Sequence, residues 1–381
     1  MAQFRTKGEH MQLFKLGSKI HQFEGFDAFA KTFQIGEGDL VLTHGFLYEP
    51  FMKKLNLKAD FIMQESFGSG EPSDEMMNAI LAEAKRKPFE RIFAIGGGTV
   101  LDIAKLLVLK DVDNVVNAFE KTVPLIKEKE LIAVPTTCGT GSEVTNITIA
   151  EIKSKQTKMG LAVDQLIPDD AVLIPELLKG LPYKFYIYSS IDALIHAIEA
   201  YVSPKANAYT RMYSIQAIET IMEIYKGILD KGETYRFERL EDMAIASNLA
   251  GIAFGNAGVG AVHALSYPLG GMYHVPHGEA NYQFFTEVFK LYNQKNPEGR
   301  IKGVNSLLAN ILDVDEEQVY DEVERVLGQL LSKNPLRSYG MKTSEVETFT
   351  VSVLEGQQRL LANNYVELTG EDIQGIYTRL Y

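Results

Sequence analysis

From about residue 39 to residue 173, short apolar runs alternate with amphipathic stretches, the pattern of strand and helix units that build a parallel sheet. The runs Asp39–Thr43, Ala59–Met63, Arg91–Ile95, Leu131–Val134 and Ala171–Ile174 predict strands. Between them the spacing predicts a helix over Ser73–Lys85, capped by Ser73, with Asp74 and Glu75 in the first turn where the helix dipole favours acids. A second helix is predicted over Thr99–Leu109. Beyond Pro175 the period changes to 3.6, and Ser189–Tyr201, Ala208–Leu229, Glu238–Ala253, Asn305–Leu312, Glu316–Leu331 and Ser344–Ala362 all suit helices. No strand is expected there. The expected architecture is an α/β domain over residues 11–178 followed by an all-helical domain over 179–381, with a cleft between them. Residues 1–10 read as a leader or an extension and carry no functional expectation.

Composition narrows the functional classes. The 381 residues are 46% hydrophobic and 23% charged, enough apolar material for a large core. Lys and Arg number 38 against 50 Asp and Glu, and the net charge of −12 argues against nucleic acid and anionic membrane surfaces as partners. An anionic substrate would need a local cation. No apolar run approaches the ~18 residues of a membrane helix, and a cytoplasmic protein is expected. With Cys138 as the sole cysteine, no intrachain disulfide can form. Its expected role is that of a small packing residue.

Two segments offer phosphate chemistry. The run Gly96-Gly97-Gly98-Thr99 follows a predicted strand and opens a helix, where a close backbone approach, free N–H groups and the dipole attract an anion. Val134 to Glu143, reading VPTTCGTGSE, also follows a strand and adds hydroxyls, so that two loops at adjacent strand ends can embrace one dinucleotide. A metal centre is suggested further on. Asp192 and His196 stand four apart on one helix face, and three of the chain's seven histidines, His263, His274 and His277, fall within 15 residues. Pro268, Gly270 and Gly271 are expected to end the helix of His263 and turn the chain back. One carboxylate with two or three imidazoles suits a divalent first-row metal, Fe²⁺ or Zn²⁺, with a position left for substrate oxygen.

The motifs GGGTVLDIAK, PTTCGTGSEVTN, DALIHAIEAYVSP and HALSYPLGGMYHVPHG, in this order over residues 91–278, resemble the iron-containing (group III) alcohol dehydrogenases. The resemblance implies a dehydroquinate synthase-like fold: an N-terminal parallel-sheet dinucleotide-binding domain and a C-terminal helical metal-binding domain. It implies metal ligands Asp192, His196, His263 and His277. It implies contacts to NAD from Gly97, Gly98, Thr99, Asp102, Thr136, Thr137, Thr140 and Ser142, with Lys158 as a further phosphate contact. The run GIAFGNAGVGAVHALSYPLGGMYHVPHGEANYQFFTE and the ending EGQQRLLANNYVEL look like the branch that interconverts 4-hydroxybutyrate and succinate semialdehyde, in a homodimer or larger assembly. The alternatives are another primary alcohol or diol of the 1,3-propanediol or lactaldehyde type, or a lyase of the dehydroquinate synthase type. Two departures stand out. Relatives often carry an Asp after the first strand that faces the adenosine ribose, where this chain has Leu42-Thr43-His44. Relatives often place a proton-relaying His one turn after the third ligand, where this chain has Tyr267, so Tyr267 or His274 is expected to take that part. For the substrate carboxylate the candidate cations are His274, Lys205 and Arg211.

Overall fold

In a computed structural model, the described residues are 12–155 and 157–381. The proposed leader lies outside them. Strands β1 (Lys19–Gln22), β2 (Asp39–Thr43), β3 (Asp60–Met63), β4 (Arg91–Gly96), β5 (Glu130–Pro135) and β8 (Asp170–Leu173) form one parallel sheet in the order β1-β8-β5-β4-β2-β3. Strands β6 (Ile147–Ile152) and β7 (Thr157–Ala162) form a separate antiparallel hairpin. The five expected strands are present, because alternate residues of each are buried on opposite faces. Leu40, Leu42, Ile92 and Ala94 pack on one side with Met77, Ile80 and Val100, whereas Val41, Phe93 and Ile95 pack on the other with Phe26 and Phe29. The hairpin and β1 were not expected from the sequence. β1 is a mostly exposed edge strand, Lys-Ile-His-Gln, and lacks the apolar signature. Helix α1 (Asp74–Ala84) is capped as expected, with the Ser73 hydroxyl accepting from the Met76 N–H at 3.2 Å.

From Pro175 onward every element among the described residues is helical. Helices α3 (Tyr183–Val202), α4 (Ala208–Lys231), α5 (Leu240–Ala257), α6 (Ala261–Tyr273) and α7 (His277–Lys295) supply most of one large core, in which α3 is buried on nearly all sides. Two expectations fail here. Pro268 does not end its helix, which runs through it to Tyr273. Proline frees only the carbonyl four residues back, that of Ala264, and bends rather than stops a helix packed on both sides of it. Leu265 and Leu269 are fully buried, and the Tyr377 hydroxyl donates to the Leu265 carbonyl at 2.6 Å. The turn comes at His274, in the left-handed region at φ +53°. Likewise, the stretch Ser344–Ala362 is not one helix but two, Val346–Gly356 and Gln358–Leu361, broken at Gln357.

The two halves meet closely. Gly141, at φ +58°, lies so near Gly251 of α5 that a Cβ on it would stand 2.4 Å from the Gly251 Cα. A side chain at either glycine would therefore force the halves apart. Cys138 is fully buried, and burial pushes its thiol up to about 11, as befits a packing residue. No single helix among the described residues is long and apolar enough to cross a membrane.

Candidate active site

The C-terminal ends of β4 and β5, which are neighbours in the sheet, face the helical half across a cavity of about 520 Å³. Ligand sites of open parallel sheets lie at this edge. Gly97 stands at the start of helix α2 (Gly98–Leu107), which leaves its first N–H groups aimed out of the sheet. Gly98 keeps the second loop close, since a Cβ there would lie 2.8 Å from the Thr140 Cγ2. Gly97, Gly98, Thr99, Asp102, Thr137, Thr140, Ser142 and Lys158 all line the cavity. Thr136 does not. It is buried, and its N–H is spent on the Gly96 carbonyl at 3.0 Å.

Asp102 also has internal duties. Its carboxylate accepts from the Ser142 hydroxyl at 2.6 Å and from the Ile149 N–H at 2.9 Å, so it ties α2 to the second loop and to β6. The fully buried Lys105, one turn on, donates to the Ser142 hydroxyl oxygen at 2.7 Å and to the Ile147 carbonyl at 2.6 Å. Burial pushes the Lys105 ammonium down to about 8, and Asp102 and Glu143 hold it partly up.

Across the cavity, Asp192, His196, His263 and His277 offer ligand atoms that all lie within 4.8 Å of one another. The Asp192 Oδ1 stands 3.9 Å from the His196 Nε2, 3.8 Å from the His263 Nε2 and 3.7 Å from the His277 Nε2. Helix α3 supplies the first two one turn apart, α6 the third, and the first turn of α7 the fourth, brought back by the bend at His274. The supporting contacts fix which nitrogens face inward. A carbonyl can only accept, so the His196 Nδ1 beside the Gly139 carbonyl at 3.1 Å carries the hydrogen, and its Nε2 keeps a lone pair. The Glu199 carboxylate does the same for His263, with Oε2 at 2.6 Å from Nδ1, while Oε1 accepts from the Val262 N–H. The Asn281 amide donates to the Asp192 Oδ1 at 2.7 Å. The His263 Nε2 is buried and has no hydrogen-bond partner among the described residues, a cost that a bound cation would remove.

Charge follows the same logic. Burial pushes His196 down to about 3 and also lowers His277, so both imidazoles are neutral donors near pH 7. Burial acts to raise Asp192, but the surrounding histidines and the Asn281 amide outweigh it and hold its pKa below the usual value. A carboxylate with three imidazoles in a buried pocket can hold a divalent metal and leave a face open to the cavity. Sequence reasoning gave no role to Glu199 and Asn281. Their signal lay in spacing, Glu199 two turns after Asp192 and Asn281 one turn after His277.

Tyr267 and His274 both line the cavity, and the Tyr267 ring lies 6.4 Å from that of His277. Burial pushes Tyr267 up to about 12, so it keeps its proton at neutral pH. Of the candidate cations for a carboxylate, only His274 lines the cavity. Lys205 and Arg211 do not, and Arg211 lies instead over the Tyr201 ring. The position after the first long strand is also resolved. His44 lines the cavity, and Glu65, from the turn after β3, accepts from its Nδ1 at 3.2 Å and from the Gly45 N–H at 2.7 Å.

Comparisons with known proteins show what the chain is similar to. The family model described as iron-containing alcohol dehydrogenase matches residues 21–175, and that of the Fe-containing alcohol dehydrogenase family, C-terminal, matches residues 186–381. The chain is 58% identical over 371 residues to 4-hydroxybutyrate dehydrogenase of Clostridium kluyveri, covering 97% of this chain and 100% of that one. It is 34% identical over 316 residues to long-chain-alcohol dehydrogenase 1 of Geobacillus thermodenitrificans, covering 81% and 79%. Among solved structures, a 1,3-propanediol oxidoreductase superposes with a TM-score of 0.83 at 24% identity, covering 97% and 99%. A sulfoacetaldehyde reductase from Bifidobacterium kashiwanohense in complex with NAD⁺ superposes with a TM-score of 0.82 at 21% identity, covering 96% and 98%. These last two bear on the fold.

Proposed function

As the chain belongs to the iron-containing alcohol dehydrogenase family, we propose that it interconverts 4-hydroxybutyrate and succinate semialdehyde by hydride transfer with NAD. The observation that carries the substrate is the 58% identity, over the whole length of the relative, to a 4-hydroxybutyrate dehydrogenase. Asp192, His196, His263 and His277 are the proposed ligands of Fe²⁺ or Zn²⁺. When bound, the metal supplies Lewis acidity at the alcohol oxygen, and NAD supplies the hydride acceptor.

The chain's own part is to position and to insulate. Backbone N–H groups at the start of α2 and the hydroxyls of Thr137 and Thr140 receive the pyrophosphate. Gly139, within that loop, accepts from His196, so the cofactor loop and the ligand set share one contact and hold the reacting groups face to face. Tyr267 or His274 would pass the alcohol proton to water. The Glu65 carboxylate beside His44 would repel a 2′-phosphate and favour NAD over NADP. Burial works to raise Glu65, but the Gly45 N–H and His44 outweigh it, so the group stays charged. A homodimer or larger assembly in the cytoplasm completes the reading. What supports an assembly is the edge strand β1, where Ile20 is exposed, together with the segment just before it, where Leu13 and Leu16 are exposed.

The deciding experiment compares initial rates of NADH formation from 4-hydroxybutyrate and from 1-butanol by the metal-loaded enzyme. A strong preference for 4-hydroxybutyrate is expected. Equal rates would move the assignment to another alcohol, and no NADH with any alcohol would favour the lyase.

A further inference from the structure

Besides the proposed metal ligands, four side chains that can carry positive charge line the cavity: His44, Lys158, His274 and Arg359. Two are committed. His44 sits on Glu65, and the Lys158 ammonium is paired with the Glu71 carboxylate. His274 stands at the exposed bend between α6 and α7. Arg359 is exposed as well, but its guanidinium is charged at any ordinary pH and is not committed. Among the described residues no carboxylate pairs with its guanidinium, and only its backbone carbonyl is engaged, by Asn363.

Local structure explains why this arginine reaches the cavity. It belongs to the short helix Gln358–Leu361, set off from Val346–Gly356 by the break at Gln357, and both Arg359 and Leu360 line the cavity. Opposite it is the β6–β7 hairpin. Gly160 and Lys158 are two apart on β7 and therefore share a face. A Cβ on Gly160 would stand 3.3 Å from a terminal guanidinium nitrogen of Arg359, so the missing side chain makes room for that group. The guanidinium is also near enough to Tyr267 for its charge to oppose the burial that raises the phenol. Tyr267 in turn neighbours His277, which puts Arg359 on the same side of the cavity as the metal cluster, with Tyr267 beside both.

We infer that Arg359 receives the carboxylate of the substrate. This rests on the reading that 4-hydroxybutyrate is the substrate. The other charged side chains on this wall are acidic or already paired, including Glu71, Asp102, Glu151 and Asp192, in a protein of net charge −12. An anion entering there meets one uncommitted guanidinium, whose planar fork matches both carboxylate oxygens.

The test measures kcat/KM for 4-hydroxybutyrate and for 1-butanol in the wild type and in the Arg359→Gln and Arg359→Lys variants, together with calorimetric affinity for butyrate in metal- and NAD-loaded protein. In Arg359→Gln the preference for 4-hydroxybutyrate falls by roughly 10- to 100-fold, the range of a hydrogen-bonded charge pair, mainly through KM, and butyrate binding weakens in step. Arg359→Lys restores part of both, as a retained positive charge requires. An Arg359→Gln variant with wild-type preference and wild-type butyrate affinity overturns the inference while leaving the proposed function standing. A wild type that does not prefer 4-hydroxybutyrate overturns the functional reading itself.

Discussion

Glu199 and Asn281 govern the metal site without belonging to the ligand set. Glu199 holds the proton of His263 on Nδ1 while its other oxygen accepts from the Val262 N–H; a neutral amide has one acceptor oxygen, cannot serve both donors, and removes the local negative charge. We expect Glu199→Gln to weaken metal affinity by ~10- to 100-fold, measured by competition with a chromophoric chelator. An unchanged affinity would mean that the ring of His263 is oriented by packing alone. At the other end of the cavity, Glu65→Gln is expected to lower the ratio of kcat/KM for NAD to that for NADP, through better use of NADP. At this scale the sequence was partly legible. The four proposed ligands stood out because imidazole is scarce in the chain and clustered. Glu199 stood at a telling spacing, but a carboxylate on a helix is too common to single out. The pairing of His44 with Glu65 was invisible, because it joins the ends of two different strands.

The elements divide along the same line. Strands buried on both faces announced themselves, and so did the helices, because burial imposes a period. β1 was missed because it is a mostly exposed edge, and β6 because its residues do not follow its alternation of burial: Thr148 and Ala150 are buried whereas Ile147 and Ile149 are half-exposed. Pro268 misled for a different reason. A proline predicts a helix end only where packing does not hold both sides of it, and here Leu265 and Leu269 are both fully buried. The arginine of the inferred carboxylate contact was hidden likewise, inside what read as one continuous helix. Lys105 allows a test of how α2 is pinned. Its folded pKa of about 8 lies below the 10.5 of an unfolded lysine, so between these values the unfolded chain binds the extra proton. The contribution of this group to stability therefore rises with pH from about 8 to 10.5. Denaturant midpoints across that window should rise relative to those of Lys105→Met. Parallel pH profiles in the two proteins would refute the shift.

At the scale of the whole molecule, all four proposed ligands come from the helical half and most of the expected NAD contacts from the α/β half. The two binding events should therefore be separable by mutation. Gly98→Val places a side chain against Thr140, and we expect NAD affinity to fall at least tenfold by fluorescence titration while metal content stays stoichiometric. Loss of metal in that variant would mean that the loops and the ligand helices cannot be disturbed independently, as the contact between Gly139 and His196 would then have to transmit the strain. The overall architecture and the two loops were legible from pattern and motif. The cavity was not, since it is walled by residues from both halves of the chain. The hydroxyl of Tyr377 on the Leu265 carbonyl carries one more consequence. It tethers the helix Gly370–Leu380 to the turn of α6 that bears His263. The tail of the chain thus acts as a strut for the metal centre, and a protease nick ahead of Gly370 should release metal before it unfolds the sheet.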